Sequence, residues 1–321
     1  MHRVTRRASL GLAAALALPS LASAQGTSIR IIVPFAPGGS TDAVARLLSP
    51  GLTQRLGAPV VVENRSGAAG SIGADVVAKA RPDGTTWLLT FDSHATLAAL
   101  LRNLPFDLMR DLDPVMLIGG SPYALATKAD RPFRTIADVV AAAKARPDAV
   151  SYGSTGNGTI GHLTMIMLGE RAGARMTHIP YRSGGLAVND TVAGTVDMMI
   201  GSSALLLPHI AGGTLRPLLQ FGPSRLAGLP DTETAVEAGF PGLEAEAWWG
   251  LFGPRGSTEE QIGRMHAALR DTLAEERVRR TMIETQQARL VVSSPDEFRR
   301  FFVAQVETWA KVVRENNIQP D

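Results

Sequence analysis

The sequence predicts an α/β protein in two blocks that face a common cleft, and three observations carry the prediction. Short β-branched runs alternate with segments of helical spacing through the first third of the chain, the pattern of βαβ units and a parallel sheet. Two glycine-rich polar loops, at residues 37–41 and 154–159, each lead from a strand into a helix, one loop in each block. Extended segments at 113–118, 123–127 and 247–254 join the blocks, so the chain crosses over and returns.

Residues 29–35 open the fold, with Ile31, Ile32 and Val33 reading as a strand covered on both faces. Gly38 and Gly39 then turn the chain and let a ligand approach the main chain closely. Ser40, Thr41 and Asp42 are N-cap residue types, and Ala43, Val44, Leu47 and Leu48 repeat at helical spacing. A helix start with no side chain in front of it is an anion site. The main chain of Phe35, Ala36, Gly39, Ser40 and Thr41 is therefore the first candidate seat for a carboxylate. Ser49-Pro50-Gly51 lies inside the same helical pattern and predicts a kink or split near Ser49.

Strands at 59–63 and 86–91 follow, with helices at 73–80 and 94–102. Residues past the carboxyl ends of these strands line the crevice of an open α/β sheet. Ser66 and Gly67 stand there after the second strand, and Asp92, Ser93 and His94 after the third. The histidine either adds a charge-assisted bond to an acid, making affinity depend on pH, or is a plain loop histidine. Gly119-Gly120-Ser121-Pro122 separates two extended segments and reads as a hinge.

The second block holds a helix at 136–145, a strand at 149–153 and a helix at 160–172. Strands at 176–181, 195–200 and 215–221 follow, with a helix at 187–193. Between its first strand and the helix at 160, Ser154, Thr155, Gly156 and Gly158 offer hydroxyls and amides that bind an oxyanion without a full charge. Two helix starts converging on one cleft suit a ligand with carboxylates at both ends. His162 is expected to brace this loop, and Arg182 either to reach the ligand or to stay solvated. Asp197 should satisfy nearby amides. Trp248 and Trp249 sit on the return crossing, one to wall the cleft and one to pack the core. Helices at 258–276, 278–287 and 295–316 close the chain, the last with an apolar stripe of Phe298, Phe301, Phe302, Val306 and Trp309.

At 321 residues, 45% hydrophobic and 19% charged, the chain is a folded protein with room for two domains. The absence of cysteine excludes disulfides, thiolate metal sites and cysteine nucleophiles together. Arg3, Arg6 and Arg7, an apolar stretch at 10–18 and Ala22-Ser23-Ala24 form an export signal cleaved after Ala24. The apolar stretch is shorter than the about 20 residues that a membrane anchor needs. Thr5-Arg6-Arg7 hints at twin-arginine export, but Ser9 replaces the bulky apolar residue usual there, which favours the general secretory route. Subtracting the leader's three arginines from the 32 basic residues leaves 29 against 30 acidic ones, so nothing supports nucleic-acid or membrane-surface binding.

Chemistry-bearing motifs are refused one by one. The six histidines show no metal-ligand spacing, so neither a metal nor a cofactor is expected. Gly156-Asn157-Gly158-Thr159-Ile160-Gly161 matches a dinucleotide fingerprint, yet the next strand ends at Tyr181-Arg182 without an acid for a ribose. The glycines at 38 and 39 lack the lysine of a phosphate loop, and Tyr152 stands where a nucleophile elbow around Ser154 needs glycine.

Ordered motifs along the whole mature chain carry a resemblance. They include Ile31-Ile32-Val33-Pro34-Phe35-Ala36-Pro37-Gly38-Gly39-Ser40-Thr41-Asp42, Val62-Glu63-Asn64-Arg65-Ser66-Gly67, Leu104-Pro105-Phe106-Asp107 and Tyr152-Gly153-Ser154-Thr155-Gly156-Asn157-Gly158. His178-Ile179-Pro180-Tyr181-Arg182, Gly194-Thr195-Val196-Asp197, Leu207-Pro208-His209-Ile210 and Ile318-Gln319-Pro320-Asp321 complete the series. The chain resembles the Bug family, the extracytoplasmic solute receptors of tripartite tricarboxylate transporters. The resemblance implies a type II periplasmic-binding-protein fold, in which two α/β domains close over a ligand. Residues 25–124 and 246–321 would form the first domain and 125–245 the second. It implies a periplasmic, non-enzymatic monomer that binds a small carboxylate, largely through main-chain groups, and hands it to membrane transporter subunits. A receptor that signals to a sensor kinase is the alternative. Many relatives place an acidic residue and a proline after the strand at 195–200. Here Gly201-Ser202-Ser203-Ala204 stands instead, which makes Gly201 and Ser202 ligand candidates and disfavours a cationic amino group.

Overall fold

The computed structural model describes residues 28–101, 103–316 and 318. The predicted signal peptide and its cleavage site, Arg102 and most of the closing Ile318-Gln319-Pro320-Asp321 motif lie outside the described residues. In chain order the first elements are β1 (Ile29–Val33), α1 (Ser40–Leu56), β2 (Val60–Asn64), α2 (Ser71–Ala78), β3 (Thr86–Phe91), α3 (Leu97–Leu100) and β4 (Leu112–Lys128). Then come α4 (Ile136–Ala145), β5 (Ser151–Ser154), α5 (Ile160–Ala172), β6 (Thr177–Pro180), α6 (Gly184–Ala193), β7 (Met198–Ser202), α7 (Ser203–Ala211) and β8 (Leu215–Gln220). The chain ends with β9 (Glu246–Pro254), α8 (Glu259–Leu273), α9 (Glu276–Glu284), β10 (Arg289–Leu290) and α10 (Pro295–Glu315). Short 3-10 turns at Ala68–Gly70 and Asp92–Thr96 lead into α2 and α3.

Parallel pairing joins β2, β1 and β3, and β9 runs antiparallel beside β3. In the other half β6, β5 and β7 are parallel neighbours. The strand β4 serves both halves: it pairs with β9 from Leu112 to Pro122, then with β7 and β8 from Tyr123 onward. One contiguous apolar cluster spans both halves, with Leu88, Phe252 and Phe302 on one side and Leu163 and Ile200 on the other. The stripe predicted in the last helix belongs to it through Phe298, Phe302 and Trp309, and each such side chain withdrawn from water contributes about 1.5–3 kcal/mol.

Four local expectations are corrected. Gly119-Gly120-Ser121-Pro122 is not a break but the middle of β4, paired to β9 on one side and, at Gly119 and Gly120, to β10 on the other. Its glycines serve close packing, because a Cβ at Gly119 would lie 2.5 Å from the Arg289 carbonyl and one at Gly120 2.5 Å from the Glu246 carboxyl. Pro50 does not split the first helix, since α1 runs from Ser40 to Leu56. Proline removes the amide that would bond the Arg46 carbonyl, and Ser49 Oγ donates to that carbonyl instead at 3.3 Å. The helix expected from His94 begins as the 3-10 turn Asp92–Thr96. An additional helix, α7, follows Ser202 where none was expected.

Candidate functional site

The turn Asp92–Thr96 is the place where the candidate loops meet. It packs against the Ala68–Gly70 turn on one side and against α5 of the other half on the other. Phe35 closes the first side: its ring meets Phe91 edge-on at 6.2 Å, and a Cβ at Gly70 would lie 3.4 Å from it. On the second side Gly158 lies so close to α3 that a Cβ would sit 2.0 Å from Leu100. Gly201 and Ser202 reach the same seam through β4, where Tyr123 pairs with Ser202 and Ser203 Oγ donates to the Pro122 carbonyl at 2.7 Å.

The loop after β1 leaves the start of its helix uncapped. Gly39 is the N-cap of α1 and carries no capping side chain. The helical ladder begins with Ala43 N–H to the Gly39 carbonyl, so the amides of Ser40, Thr41 and Asp42 precede it. Gly38, at φ +84°, is exposed. Braces reach the loop from behind. Asn64 Nδ2 donates to the Phe35 carbonyl at 3.0 Å and to Asp42 at 2.9 Å. The Asp42 carboxylate also accepts from Gly38 N–H at 3.1 Å and from Arg46. Burial would raise the Asp42 pKa, but those bonds outweigh it and hold the carboxyl below its ordinary value. Ser40 Oγ donates to Gln286 at 3.3 Å.

The loop after β5 closes on itself. Ser154 is fully buried, and its Oγ bonds His178 Nε2 at 2.7 Å and accepts from Gly156 N–H at 3.1 Å. Gly158 N–H donates to His162 Nδ1 at 2.9 Å, and Thr159 Oγ1 donates to the Gly156 carbonyl at 2.8 Å while capping His162 N–H. The rings of His162 and His178 stack at 3.8 Å, with Tyr152 on the other contact of His178. Burial, with His162 adding to it, depresses the His178 pKa to about 3. The bond from His178 to the buried serine ties the loop to β6. His162 thus braces the loop, as its position implied, whereas the amides of Gly156 and Gly158 are spent within it. Thr155 is partly exposed, and Arg182 stands exposed just beyond Tyr181, whose N–H bonds the Ser154 carbonyl.

His94 is corrected. It is buried between Phe106, Phe252 and Phe302 at ring distances of 5.5–6.4 Å, and burial lowers its pKa to about 3. It is neutral and packed, so a charge-assisted bond from it is not available. Both tryptophans are also buried: Trp248 packs on Phe298, Phe301 and Phe302, and Trp249 on Phe91. Asp197 accepts from Ser151 N–H at 2.9 Å. Ser66 and Gly67 are exposed at the start of the Ala68–Gly70 turn.

Sequence reasoning missed Tyr123, whose hydroxyl donates to Asp92 Oδ2 at 2.6 Å with both side chains buried. Burial pushes the Asp92 carboxyl up to about 7, despite the pull of the Tyr123 hydroxyl and the nearby Ser93 amide. Among the described residues Asp92 Oδ1, Ser93 Oγ and Ser121 Oγ find no protein partner, though all are buried. Only the alternation that puts Ser121 and Tyr123 on one face of a strand pointed there. Among the described residues no group of three acidic or histidine side chains could hold a metal ion, and no helix is long and apolar enough to cross a membrane. Two surface hollows, of about 540 Å³ beside Met165 and Arg175 and about 610 Å³ beside Phe106 and Val306, involve none of these loops.

The family model described as tripartite tricarboxylate transporter family receptor matches residues 44–318. Protein BugT of Bordetella pertussis is 36% identical over 290 residues, covering 89% of this chain and 88% of BugT. The structure of Rpa4515 of R. palustris with adipate superposes with a TM-score of 0.87 at 30% identity, covering 92% of this chain and 98% of that one. MatC from Rhodopseudomonas palustris with bound malate superposes with a TM-score of 0.82 at 29% identity, covering 89% and 98%.

Proposed function

The chain belongs to the receptor family of the tripartite tricarboxylate transporters and has its periplasmic-binding-protein fold, and from that premise we propose that it captures a small organic carboxylate in the periplasm and delivers it to a membrane transporter. The observation that carries the reading is the uncapped start of α1 behind an exposed glycine turn, in a loop whose Phe35 ring meets Phe91 and Gly70 beside the turn that touches both halves. Oriented amides at a helix start favour an anion without a cationic side chain. The malate in MatC and the adipate in Rpa4515 support a ligand of the same class. Gly201 and Ser202, where an acid would favour an amino group, fit a purely anionic ligand.

The receptor is a monomer of two domains, residues 25–124 with 246–321 and residues 125–245, after removal of a signal peptide. It performs no chemistry; ligand binding shifts an open–closed equilibrium. The contact set is the main chain of Phe35, Ala36, Gly39, Ser40 and Thr41 with Ser66, Gly67, Asp92, Ser93, Thr155, Gly201 and Ser202. Ser154, Gly156 and Gly158 shape the facing loop, and Arg182 flanks it.

A thermal-shift and calorimetric screen over dicarboxylates, tricarboxylates, aromatic acids and acidic amino acids tests the reading. At least one carboxylate is expected to stabilise the protein at millimolar concentration. Stabilisation by another ligand class alone would overturn it.

A further inference from the structure

Asp92 is a carboxyl in a place meant for a carboxylate, and its surroundings say how both are accommodated. It is fully buried, at the turn that touches both halves of the molecule. Tyr123 O–H occupies Oδ2, and the Gly161 amide at the start of α5 lies beside the same hydroxyl. Among the described residues Oδ1 has no protein partner, nor has the hydroxyl of Ser93 next to it in the chain or that of Ser121, two residues before Tyr123. A buried polar atom left unmatched is costly, by about 1–3 kcal/mol and more when charged, so such atoms mark a place for a bound group.

Among the described residues the neighbourhood supplies no cation to hold Asp92 ionised. Tyr123 faces it from β4, and His94 in the same turn is neutral. From α5 comes His162, stacked on His178. The elements α10 and β9 meet the turn through Phe302 and Phe252, which enclose His94. The turn Ala68–Gly70 and the helix α3 carry no titratable side chain. An ionised Asp92 there would repel an incoming carboxylate, whereas a protonated one donates to it.

We propose that Asp92 is a proton-linked ligand residue: on closure it takes a proton from solvent, and Oδ1–H donates a hydrogen bond to a ligand carboxylate oxygen while Tyr123 holds Oδ2. The proposal rests on the carboxylate-receptor reading and adds a regulation of that site. The raised proton affinity of the buried carboxyl agrees with it. In an open form exposed to water Asp92 would return towards its ordinary value of 3.8. Between those values closure takes up a proton, so affinity falls as pH rises towards 7 and levels off above it.

The test is calorimetry of the whole protein with malate and with adipate at pH 6.5, in buffers of different ionisation enthalpy. The expected result is uptake of roughly one proton per ligand, with affinity falling up to about tenfold per pH unit between pH 5 and 7. Asp92→Asn, whose amide also donates, should bind with no proton uptake and a flatter pH profile. Asp92→Ala should lose about tenfold in affinity. Tyr123→Phe, which removes a donor to the carboxylate, should extend proton uptake to higher pH and decides the matter should Asp92→Ala fail to fold. Binding without proton uptake, or an Asp92→Asn protein that still takes up the proton, would overturn the inference and leave the receptor reading intact. If no carboxylate in the screen binds, the receptor reading falls and this inference with it.

Discussion

The loops after β1 and β5 read alike in sequence, strand to glycine to helix, yet they spend their hydrogen bonds in opposite ways. In the first, Asn64 ties the Phe35 carbonyl from β2 and Asp42, in the first turn of α1, takes the Gly38 amide, while no side chain caps the helix start itself. In the second, Ser154, Thr159 and His162 consume the loop's amides internally, and a stacked histidine pair fixes the whole. On the proposed reading one loop presents donors and the other is a wall. The difference teaches that a glycine-rich helix start is an anion seat only where no side chain in the loop has already claimed its amides.

Substitutions separate the two roles. Gly158→Ala should be the most damaging, because Gly158 sits at φ +66° with Leu100 in the way. A loss of about 1–3 kcal/mol in urea unfolding is expected, and an undiminished midpoint would refute the wall. Acidification should come next. His178 protonates near 3 in the fold against an ordinary 6.5, so the unfolded chain binds more protons across that window. The stability that neutral His178 contributes above pH 6.5 is lost as the pH falls towards 3. Asp92 acts with the opposite sign and buried His94 with the same one, so the loss of stability between pH 7 and 4 that Asp92→Asn protein shows beyond Asp92→Asn/His178→Phe protein isolates the His178 effect. The absence of such an excess would show that the stack is not what holds the loop.

Asn64→Ala should cost about 1–2 kcal/mol of stability by freeing the Phe35 carbonyl and one side of Asp42. Carboxylate affinity, read by titration calorimetry, should fall with it as the open amides lose their setting. Gly39→Ser is expected to do least to the fold and to divide stability from binding. Gly39 has φ −82° and its nearest neighbour lies 3.7 Å from a Cβ, so serine fits and caps α1, with stability unchanged or higher by about a few tenths of a kcal/mol. The new hydroxyl would occupy the helix-start amides, and ligand affinity should drop. Equal affinity would move the seat elsewhere.

Much of the fold was legible because apolar periodicity reports burial directly, as in β3 and the stripe of α10. The helix α7 was hidden by Pro208, which lies inside it. The continuity of β4 was hidden by glycines whose reason is a neighbour far along the chain, Glu246 or Arg289. The site was half legible. Strand ends and glycine turns marked where loops gather, but not which amides were already taken, since His162 and His178 are brought together only by the fold. The link from Asp92 to Tyr123 spans 31 positions and leaves no local pattern.

The strand β4 has a consequence for how such a receptor can be taken apart. A cut at residue 124 or 125 passes through a strand that β9 holds before Tyr123 and that β7 and β8 hold after it. Either fragment would carry a raw sheet edge of unpaired main-chain groups, prone to joining other chains. One strand thus carries the hydrogen bonds of both pairing groups, and a cut within it would expose edges in both.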